Sequence, residues 1–314
     1  MAIQDDKNFS VLIKEKARKI GFDLCGIAAS RSLSEREDIL KEWCLSGMNA
    51  GMDYLARDIG KRVNPDFLVP GAKSLIVTGI NYYAHNKQEE SGVPVISRYA
   101  YGEGYQNVIK RKLDELLAFI RSIEPEAAGR SFSDSAPLLE KAWAKEAGIG
   151  WQGRHSIVIN KKIGSFFFIG ILILNIELEY DRPLTQDYCG SCRLCIERCP
   201  TGAINENGTI DARKCISNLT IENRGPVPAE IISKLEGRVF GCDICQEVCP
   251  WNRDAMPNNV REFEIEPEVA KMTAQDWLNL SKERFKKLFK KSAIGRKKYE
   301  TFMENVAIVT KPAR

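Results

Sequence analysis

Most of the cysteines in this chain lie within residues 189–249, and their spacing limits what that stretch can fold around. The first run, CGSCRLCIERCP, has cysteines at spacings of three, three and four residues, then a proline: Cys189, Cys192, Cys195, Cys199 and Pro200. The second run, GCDICQEVCP, repeats only the last three cysteine positions, as Cys242, Cys245 and Cys249. Val239 stands where its first cysteine would be. Two such runs predict a pair of neighbouring metal sites.

A three-cysteine turn followed by Cys-Pro is typical of cubane [4Fe–4S] sites, where the fourth cysteine ligates a neighbouring cluster. Each cubane needs four thiolates, so the only cysteine between the runs, Cys215, is expected to replace the ligand missing at Val239. One cluster would then be held by set A: Cys189, Cys192, Cys195 and Cys249. The other would be held by set B: Cys199, Cys215, Cys242 and Cys245.

Two other uses of these cysteines are open. Four-cysteine zinc sites have similar spacings, although the Cys-Pro endings favour iron–sulfur clusters. Disulfides are disfavoured, because the start MAIQDDKNFS has neither the basic nor the apolar region of an export signal. The cysteine content therefore indicates a reducing cytoplasm and a chain that moves electrons singly. Cys25 and Cys44 are expected to be buried small hydrophobes.

Length and composition set wider bounds. A chain of 314 residues can form two domains, or one domain with an inserted module. The most apolar run, residues 166–174, is far too short to span a membrane, so no membrane partner is expected. The net charge of +4 is too small to identify a nucleic-acid partner.

The hydrophobic pattern predicts an α+β fold: a mixed sheet flanked by helices, because strands and helices follow each other without strict alternation. Residues 105–123 have the clearest amphipathic pattern. Ser34 with Glu37, and Thr273 with Asp276, are expected to cap helices. SIVIN and SFFFIGILILNIEL are expected to pair as a hairpin.

We expect three parts in the chain. Residues 1–186 form an N-terminal α/β domain, residues 187–252 a ferredoxin-like two-cluster module, and residues 253–314 a helical C-terminal segment. The basic stretch 282–298 within that segment has two interpretations: a solvated helix face, which is the usual one, or a contact with phosphates.

Asp134 follows a predicted strand and precedes Ser-Ala-Pro and a helix. It could cap that helix, or act as a general acid at the strand end, which would require a raised pKa. These residues alone do not decide between the two. His85 and His155 stand outside any ligand pattern and are expected to be surface or core residues.

Seven segments together resemble the epoxyqueuosine reductases, a family of cobalamin- and iron–sulfur-dependent enzymes of tRNA queuosine synthesis. They are KRVNPDFLVPGAKS (61–74), SRYAYGEGY (97–105), SDSAPLLEKAWAKEAGIGWQG (133–153), GSFFFIG (164–170), CGSCRLCIERCPTGAI (189–204), DARKCISNLT (211–220) and RVFGCDICQEVCPWN (238–252). Their order and spacing are specific to this family, whose core is related to that of reductive dehalogenases.

The resemblance implies a base-off cobalamin between the N-terminal domain and the cysteine module, supplied with electrons by two [4Fe–4S] clusters. The substrate would be a tRNA with epoxyqueuosine at the wobble position, reduced to queuosine with loss of water. Asp134 would protonate the departing oxygen. The positions that match the family's cobalamin-lining residues are Arg62, Ser97, Arg98, Asp134, Val158, Ile169, Ser217 and Asp243. Arg224 would meet the tRNA.

Long members of the family continue into a C-terminal helical-repeat module, and this chain resembles a short form without it. Residues 282–298 would then carry more of the phosphate binding. We also expect a monomer and a low-potential electron donor. Two other functions are open: a cobalamin–iron–sulfur reductase of a small molecule, which would need a closed pocket, and a ferredoxin-type electron carrier, which would bind no corrinoid.

Overall fold

Residues 2–310 are described by the computed structural model, with side chains from residue 8 onward. The helices are α1 (Ala2–Ile20), α2 (Glu37–Leu45), α3 (Ile59–Val63), α4 (Tyr105–Ile123), α5 (Glu140–Glu146), α6 (Leu194–Glu197), α7 (Ile216–Ile221), α8 (Ala229–Ile232), α9 (Ile244–Glu247), α10 (Pro267–Ala270), α11 (Ala274–Leu278), α12 (Lys282–Phe289) and α13 (Tyr299–Thr310). The strands are β1 (Leu24–Ala29), β2 (Ser74–Asn81), β3 (Val95–Ile96), β4 (Gly129–Phe132), β5 (Trp151–Gln152), β6 (Val158–Ile159), β7 (Phe167–Leu174) and β8 (Arg238–Phe240).

The central sheet has the order β1-β2-β7-β4, and its neighbouring strands are antiparallel. β2 and β7 are its aliphatic middle strands, and every residue of β2 is buried. Because successive side chains of a strand point to opposite faces, Ile76 and Leu172 pack towards α1 and α4, whereas Val77 and Ile171 pack towards α5. The sheet is therefore covered by helices on both faces.

α4 is confirmed over the predicted residues. Its six apolar side chains are buried: Val108, Ile109, Leu113, Leu116, Leu117 and Ile120. The helix lies so close to β7 that a Cβ atom on Gly170 would come within 2.5 Å of Ile109 Cγ2. Glycine at this position lets the helix pack directly on the sheet.

Two local predictions are wrong. Ser34 lies in a 3₁₀ turn, and the N-cap residue of α2 is Arg36, which makes no side-chain cap hydrogen bond. The predicted hairpin reduces to one bridge between Asn160 and Gly164, since β6 pairs with β5 while β7 pairs with β2 and β4. The second capping box, Thr273 with Asp276, is confirmed.

The cysteine module and the C-terminal helices join the rest through a second core. β3 and β8 form a parallel pair, and residues around them pack with aromatic side chains of the C-terminal segment such as Trp277 and Phe302. Val239 lies in this core and is fully buried. A cysteine at that position would face the core, which explains why the second run lacks its first cysteine.

The predicted α+β class is confirmed: a sheet flanked by helices, a cysteine-rich module of short helices and a helical C-terminal segment. The central sheet contains antiparallel pairs, whereas the parallel pair β3–β8 forms a separate two-stranded sheet. Within residues 2–310, no helix combines the length and the apolar character needed to cross a membrane.

Candidate active site

The thiols of the cysteine module act on one another's pKa values. Burial, opposed by a hydrogen bond from the Trp251 backbone N–H, raises the pKa of the Cys249 thiol to about 11, with smaller contributions from the charges of Cys189, Cys195 and Cys192. Burial likewise raises the pKa of Cys245, with further contributions from Cys242 and Cys215. Cys199 acts in the same way on Cys215, and Cys195 of set A acts on Cys245 of set B. Because such interactions weaken with distance, the thiols of the module lie close together. Within residues 8–310 no three thiol, carboxyl or imidazole groups are arranged to hold a metal ion, and the division into sets A and B stays a prediction.

Helix α7 explains how Cys215 comes to this place. Cys215 is its N-cap residue, and burial raises the pKa of the thiol. Backbone N–H groups of Asn218 and Ser217 donate to the sulfur and lower that pKa. Free N–H groups at a helix start stabilise negative charge and so offset part of the effect of burial on this thiol.

A cavity of about 1040 Å³ lies between the N-terminal domain and the cysteine module. All four cysteines of set B line it: Cys199, Cys215, Cys242 and Cys245. No cysteine of set A is among its lining residues. The opposite wall includes Arg62, Asp134, Glu140, Lys141 and His155. Set B therefore faces a large space that set A does not reach.

Asp134 lies on the loop between β4 and α5 with a φ of 49°, in the left-handed region that few non-glycine residues adopt. Its Oδ2 accepts a hydrogen bond of 2.5 Å from the Tyr105 hydroxyl. Its backbone N–H donates to Glu140 Oε1 at 2.6 Å. The helix-cap interpretation is wrong, because the N-cap residue of α5 is Leu139. Two hydrogen bonds instead hold an exposed carboxylate in the cavity wall.

Glu140 and Lys141 are titratable residues that the sequence pattern did not single out. Burial raises the pKa of Glu140 to about 8, against the hydrogen bond from the Asp134 N–H and with a smaller contribution from the charge of Asp134. Glu140 therefore holds its proton more tightly than a glutamate in water, next to Asp134. Lys141 lines the same cavity with an exposed side chain and lies near the charges of Asp134 and Glu140.

A second cavity, of about 690 Å³, adjoins the first. Asp134, Glu222 and Arg296 line both cavities. The second also has aromatic walls from Tyr99 and Tyr105, whose rings lie 6.3 Å apart. Its remaining charged lining residues are Arg224, Lys297 and Lys298. The arrangement offers an aromatic space with a basic border, next to Asp134.

The predicted site residues divide into two groups. Arg62, Asp134 and Ser217 line the first cavity, and Arg224 lines the second. The other five lie outside both linings: Ser97, Arg98, Val158, Ile169 and Asp243. The Ser97 hydroxyl donates to Asp243 Oδ1, and the Arg98 N–H donates to Oδ2 at 2.8 Å. Burial raises the pKa of Asp243. Ser97 and Arg98 are thus bound to Asp243, the residue that follows Cys242 in the cysteine module.

The two histidines differ. His85 is exposed, as expected of a surface residue. His155 is 3% exposed and lines the first cavity, with its Nδ1 accepting from the Ile157 N–H and its Nε2 without a partner. Burial lowers its pKa to about 4. Arg62 Nε is also buried without a partner. The cavity wall thus holds two polar atoms with unsatisfied hydrogen-bonding capacity.

Four thiols of the cysteine module line a cavity together with Asp134, which points to the class of iron–sulfur oxidoreductases. Residues 188–252 match the family described as "4Fe-4S double cluster binding domain", and residues 62–135 match the family described as "Epoxyqueuosine reductase QueG, DUF1730". Together with the relatives described next, these matches show that the chain belongs to the epoxyqueuosine reductase family.

Two curated relatives match over nearly their full length. The epoxyqueuosine reductase of Leadbetterella byssophila is 46% identical over 303 residues, which cover 96% of this chain and 99% of that protein. The enzyme of Cellulophaga algicola is 44% identical over 297 residues, covering 95% and 96% respectively.

Solved structures show the same fold. An epoxyqueuosine reductase crystallised with an epoxyqueuosine-modified tRNA-Tyr stem loop has a TM-score of 0.89 at 31% identity, with 96% of this chain and 80% of that chain covered. The Bacillus subtilis enzyme, described with its Asp134 catalytic loop swung out of the active site, has a TM-score of 0.89 at 30% identity and coverages of 96% and 81%. A catabolic reductive dehalogenase, NpRdhA, shares the fold alone, with a TM-score of 0.52, 19% identity and coverages of 80% and 33%.

Proposed function

We propose that this protein reduces epoxyqueuosine in a tRNA anticodon loop to queuosine, with cobalamin in the first cavity and two [4Fe–4S] clusters in the cysteine module. One observation carries the proposal: the set-B cysteines and Asp134 line the same cavity. An electron source and a proton donor therefore face one space. A relative solved with an epoxyqueuosine-modified stem loop supports the choice of substrate.

Sets A and B are the proposed cluster ligands. Set A would hold the cluster that receives electrons from a low-potential donor, because it lies outside the cavity lining. Set B would pass the electrons on, since all four of its thiols line the cavity. Each cluster carries one electron at a time, so two transfers serve one turnover.

The first cavity fits cobalamin on two observations. Its volume of about 1040 Å³ is at the upper end of the usual range for small-molecule sites, roughly 300–1,000 Å³. The unpartnered Arg62 Nε and His155 Nε2 offer donors to the amide groups at the edge of a corrin. Arg62 and Ser217 would hold the cofactor, base-off, above set B. Ser97, Arg98, Val158, Ile169 and Asp243 remain proposed contacts through the family resemblance. When bound, cobalamin supplies a reductant strong enough to open an epoxide.

Asp134 is the proposed proton donor. Converting an epoxide to an alkene consumes two electrons and two protons and releases water. The first proton goes to the oxygen as the ring opens, because an alkoxide is a poor product without a general acid. The second lets that oxygen leave as water, after Asp134 has been protonated again from solvent. Tyr105 and Glu140 hold Asp134 in place for both transfers.

The second cavity is the proposed site of the modified nucleoside. Tyr99 and Tyr105 offer ring faces of the kind on which proteins stack unpaired RNA bases. Arg224, Arg296 and Lys298 form the border that would meet backbone phosphates. A small-molecule reductase would gain nothing from such a basic border, which favours the tRNA substrate.

We also propose a monomer that works in the cytoplasm, where a reducing environment keeps the thiols free for iron. The division into residues 1–186, 187–252 and 253–314 is part of the same proposal.

The test is anaerobic incubation of the reconstituted protein with cobalamin, a low-potential reductant and epoxyqueuosine-containing tRNA, followed by nucleoside mass spectrometry. Queuosine is the expected product, and its absence with both clusters present would refute the function. Asp134→Asn should bind cobalamin normally and lose turnover. Asp254→Asn, at an exposed position outside both cavities, is the matched control and should remain active.

A further inference from the structure

Glu222 lies where the two cavities meet, and the fold does not require a carboxylate there. The residue follows α7 as its C-cap, and its backbone N–H donates to the Asn218 carbonyl at 2.9 Å. Its side chain is exposed and lines both cavities. Among the ion pairs formed within residues 8–310, none includes this side chain. Glutamine would satisfy the backbone equally well.

The negative charge of Glu222 is opposite in sign to most of the charges around the second cavity. The other charged residues that line the second cavity, apart from Asp134, are cations: Arg224, Arg296, Lys297 and Lys298. The charge of Glu222 acts on Lys297, because it opposes the lowering of the Lys297 pKa by burial. Its Nζ nevertheless donates to the Ile221 carbonyl at 2.9 Å. A carboxylate among cations that attract phosphates weakens RNA binding, unless it meets a positive group of the substrate.

The substrate of the proposed function contains such a group. A methylene-amine linker joins the deazaguanine base of epoxyqueuosine to the ring that bears the epoxide, and this secondary amine is protonated near neutral pH. With the base in the second cavity and the epoxide beside Asp134, the linker crosses the junction of the two cavities. Glu222 lines that junction.

We propose that Glu222 binds the ammonium group of this linker and makes the site selective for nucleosides with a cationic 7-substituent. The inference rests on the proposed function and adds a specificity-determining residue to it. A carboxylate–ammonium hydrogen bond is charge-assisted and stronger than a neutral one. It also sets how far the epoxide reaches towards Asp134.

The experiment compares two anticodon stem loops that differ only in the 7-substituent of the wobble nucleoside, and chiefly in its charge. One carries 7-aminomethyl-7-deazaguanosine, which is cationic, and the other carries 7-cyano-7-deazaguanosine, which is neutral. The reconstituted protein should bind the cationic stem loop about tenfold more tightly, as for a hydrogen bond between charged groups. Glu222→Gln should bind the two equally, while Glu222→Asp should keep part of the preference.

Glu230→Gln is the matched control, because Glu230 is exposed and lines neither cavity; it should keep the full preference. Retention of the preference by Glu222→Gln, with normal cluster absorbance, would overturn the role of Glu222, as would its absence in the unmodified protein. Conversion of epoxyqueuosine is measured separately by mass spectrometry. A protein that shows the charge preference but forms no queuosine would count against the proposed function alone.

Discussion

The Tyr105 hydroxyl donates a hydrogen bond of 2.5 Å to Asp134 Oδ2, and the Tyr105 ring stacks on Phe168 with centroids 4.2 Å apart. Burial, and then the charge of Asp134, raise the pKa of Tyr105. The phenol therefore remains a donor at physiological pH. Phe168 belongs to β7, so this contact ties the Asp134 loop to the central sheet.

Tyr105→Phe tests whether this contact positions the proton donor. The variant keeps the stacked ring and removes only the hydrogen bond, so kcat should fall about tenfold, the value of roughly one such bond. Cobalamin affinity and the KM for tRNA should stay within about twofold if the hydroxyl acts only through Asp134. Single-turnover kinetics and a corrinoid titration measure these quantities. Tyr180→Phe, at an exposed position in the segment after β7, is the control, and an unchanged kcat for Tyr105→Phe would contradict the prediction.

Glu140 should make stability depend on pH. Burial raises its pKa from 4.5 to about 8, so between these values the folded protein keeps a proton that the unfolded chain has lost. The folded state then binds more protons, and stability falls as pH rises, by up to about 1.4 kcal/mol per pH unit.

Glu140→Gln removes this titration. The melting temperature of the variant, relative to that of the unmodified protein, should therefore rise between pH 6 and pH 8. Thermal unfolding followed by circular dichroism measures the difference. Glu126→Gln, at an exposed position, should parallel the unmodified protein. A constant difference between Glu140→Gln and the unmodified protein across this range would show that Glu140 ionises normally.

Cys215→Ala should remove one cluster and leave the other. Set B would keep three thiolates, whereas a stable cubane needs four ligands. Iron and sulfide analysis after anaerobic reconstitution should find about half of the normal content. Cys44→Ala should keep the full content, because Cys44 lies on α2, outside both sets. Full iron content in Cys215→Ala would mean that another residue completes the set-B cluster.

The basic segment 282–298 should contribute to tRNA binding through lysines that form no close ion pair. Arg284 pairs with Glu268 and Asp276, and Lys282 pairs with Glu300, whereas Lys287 approaches Glu268 only to 4.0 Å. Reversing the charges of Lys286, Lys287, Lys290 and Lys291 should weaken tRNA binding and flatten its salt dependence. The log–log slope should fall by about 0.7–0.9 for each phosphate that is no longer neutralised. Filter binding at several salt concentrations measures the slope. Unchanged binding would assign this helix face to solvent.

Local patterns predicted the parts of the fold that local chemistry determines. The period of apolar residues located α4, and the cysteine spacing located the module that matches a double-cluster family over residues 188–252. The hairpin before β7 failed because β7 gains more by burial between β2 and β4 than by pairing with its neighbour in sequence. Such a choice between partners is made by the tertiary structure.

The site shows the same division. Asp134 was a candidate from its place after a strand, but its two hydrogen-bonding partners are 29 residues before it and 6 residues after it. Glu140 and His155 carried no signal in the sequence, because burial shifts their pKa values only in the folded chain. Glu222 could have been noticed only as an acid within a basic surface, which requires knowing the surface.

The shared wall of the set-B thiols and the large cavity implies an order of assembly. A molecule that fills this cavity would cover the thiols of Cys215 and Cys245. If that molecule is the proposed corrinoid, iron and sulfide would enter before it, and a protein without it would leave the proposed set-B cluster open to dioxygen. The corrinoid would thus shield the set-B cluster from solvent, and oxygen damage would begin with set B in any molecule without it.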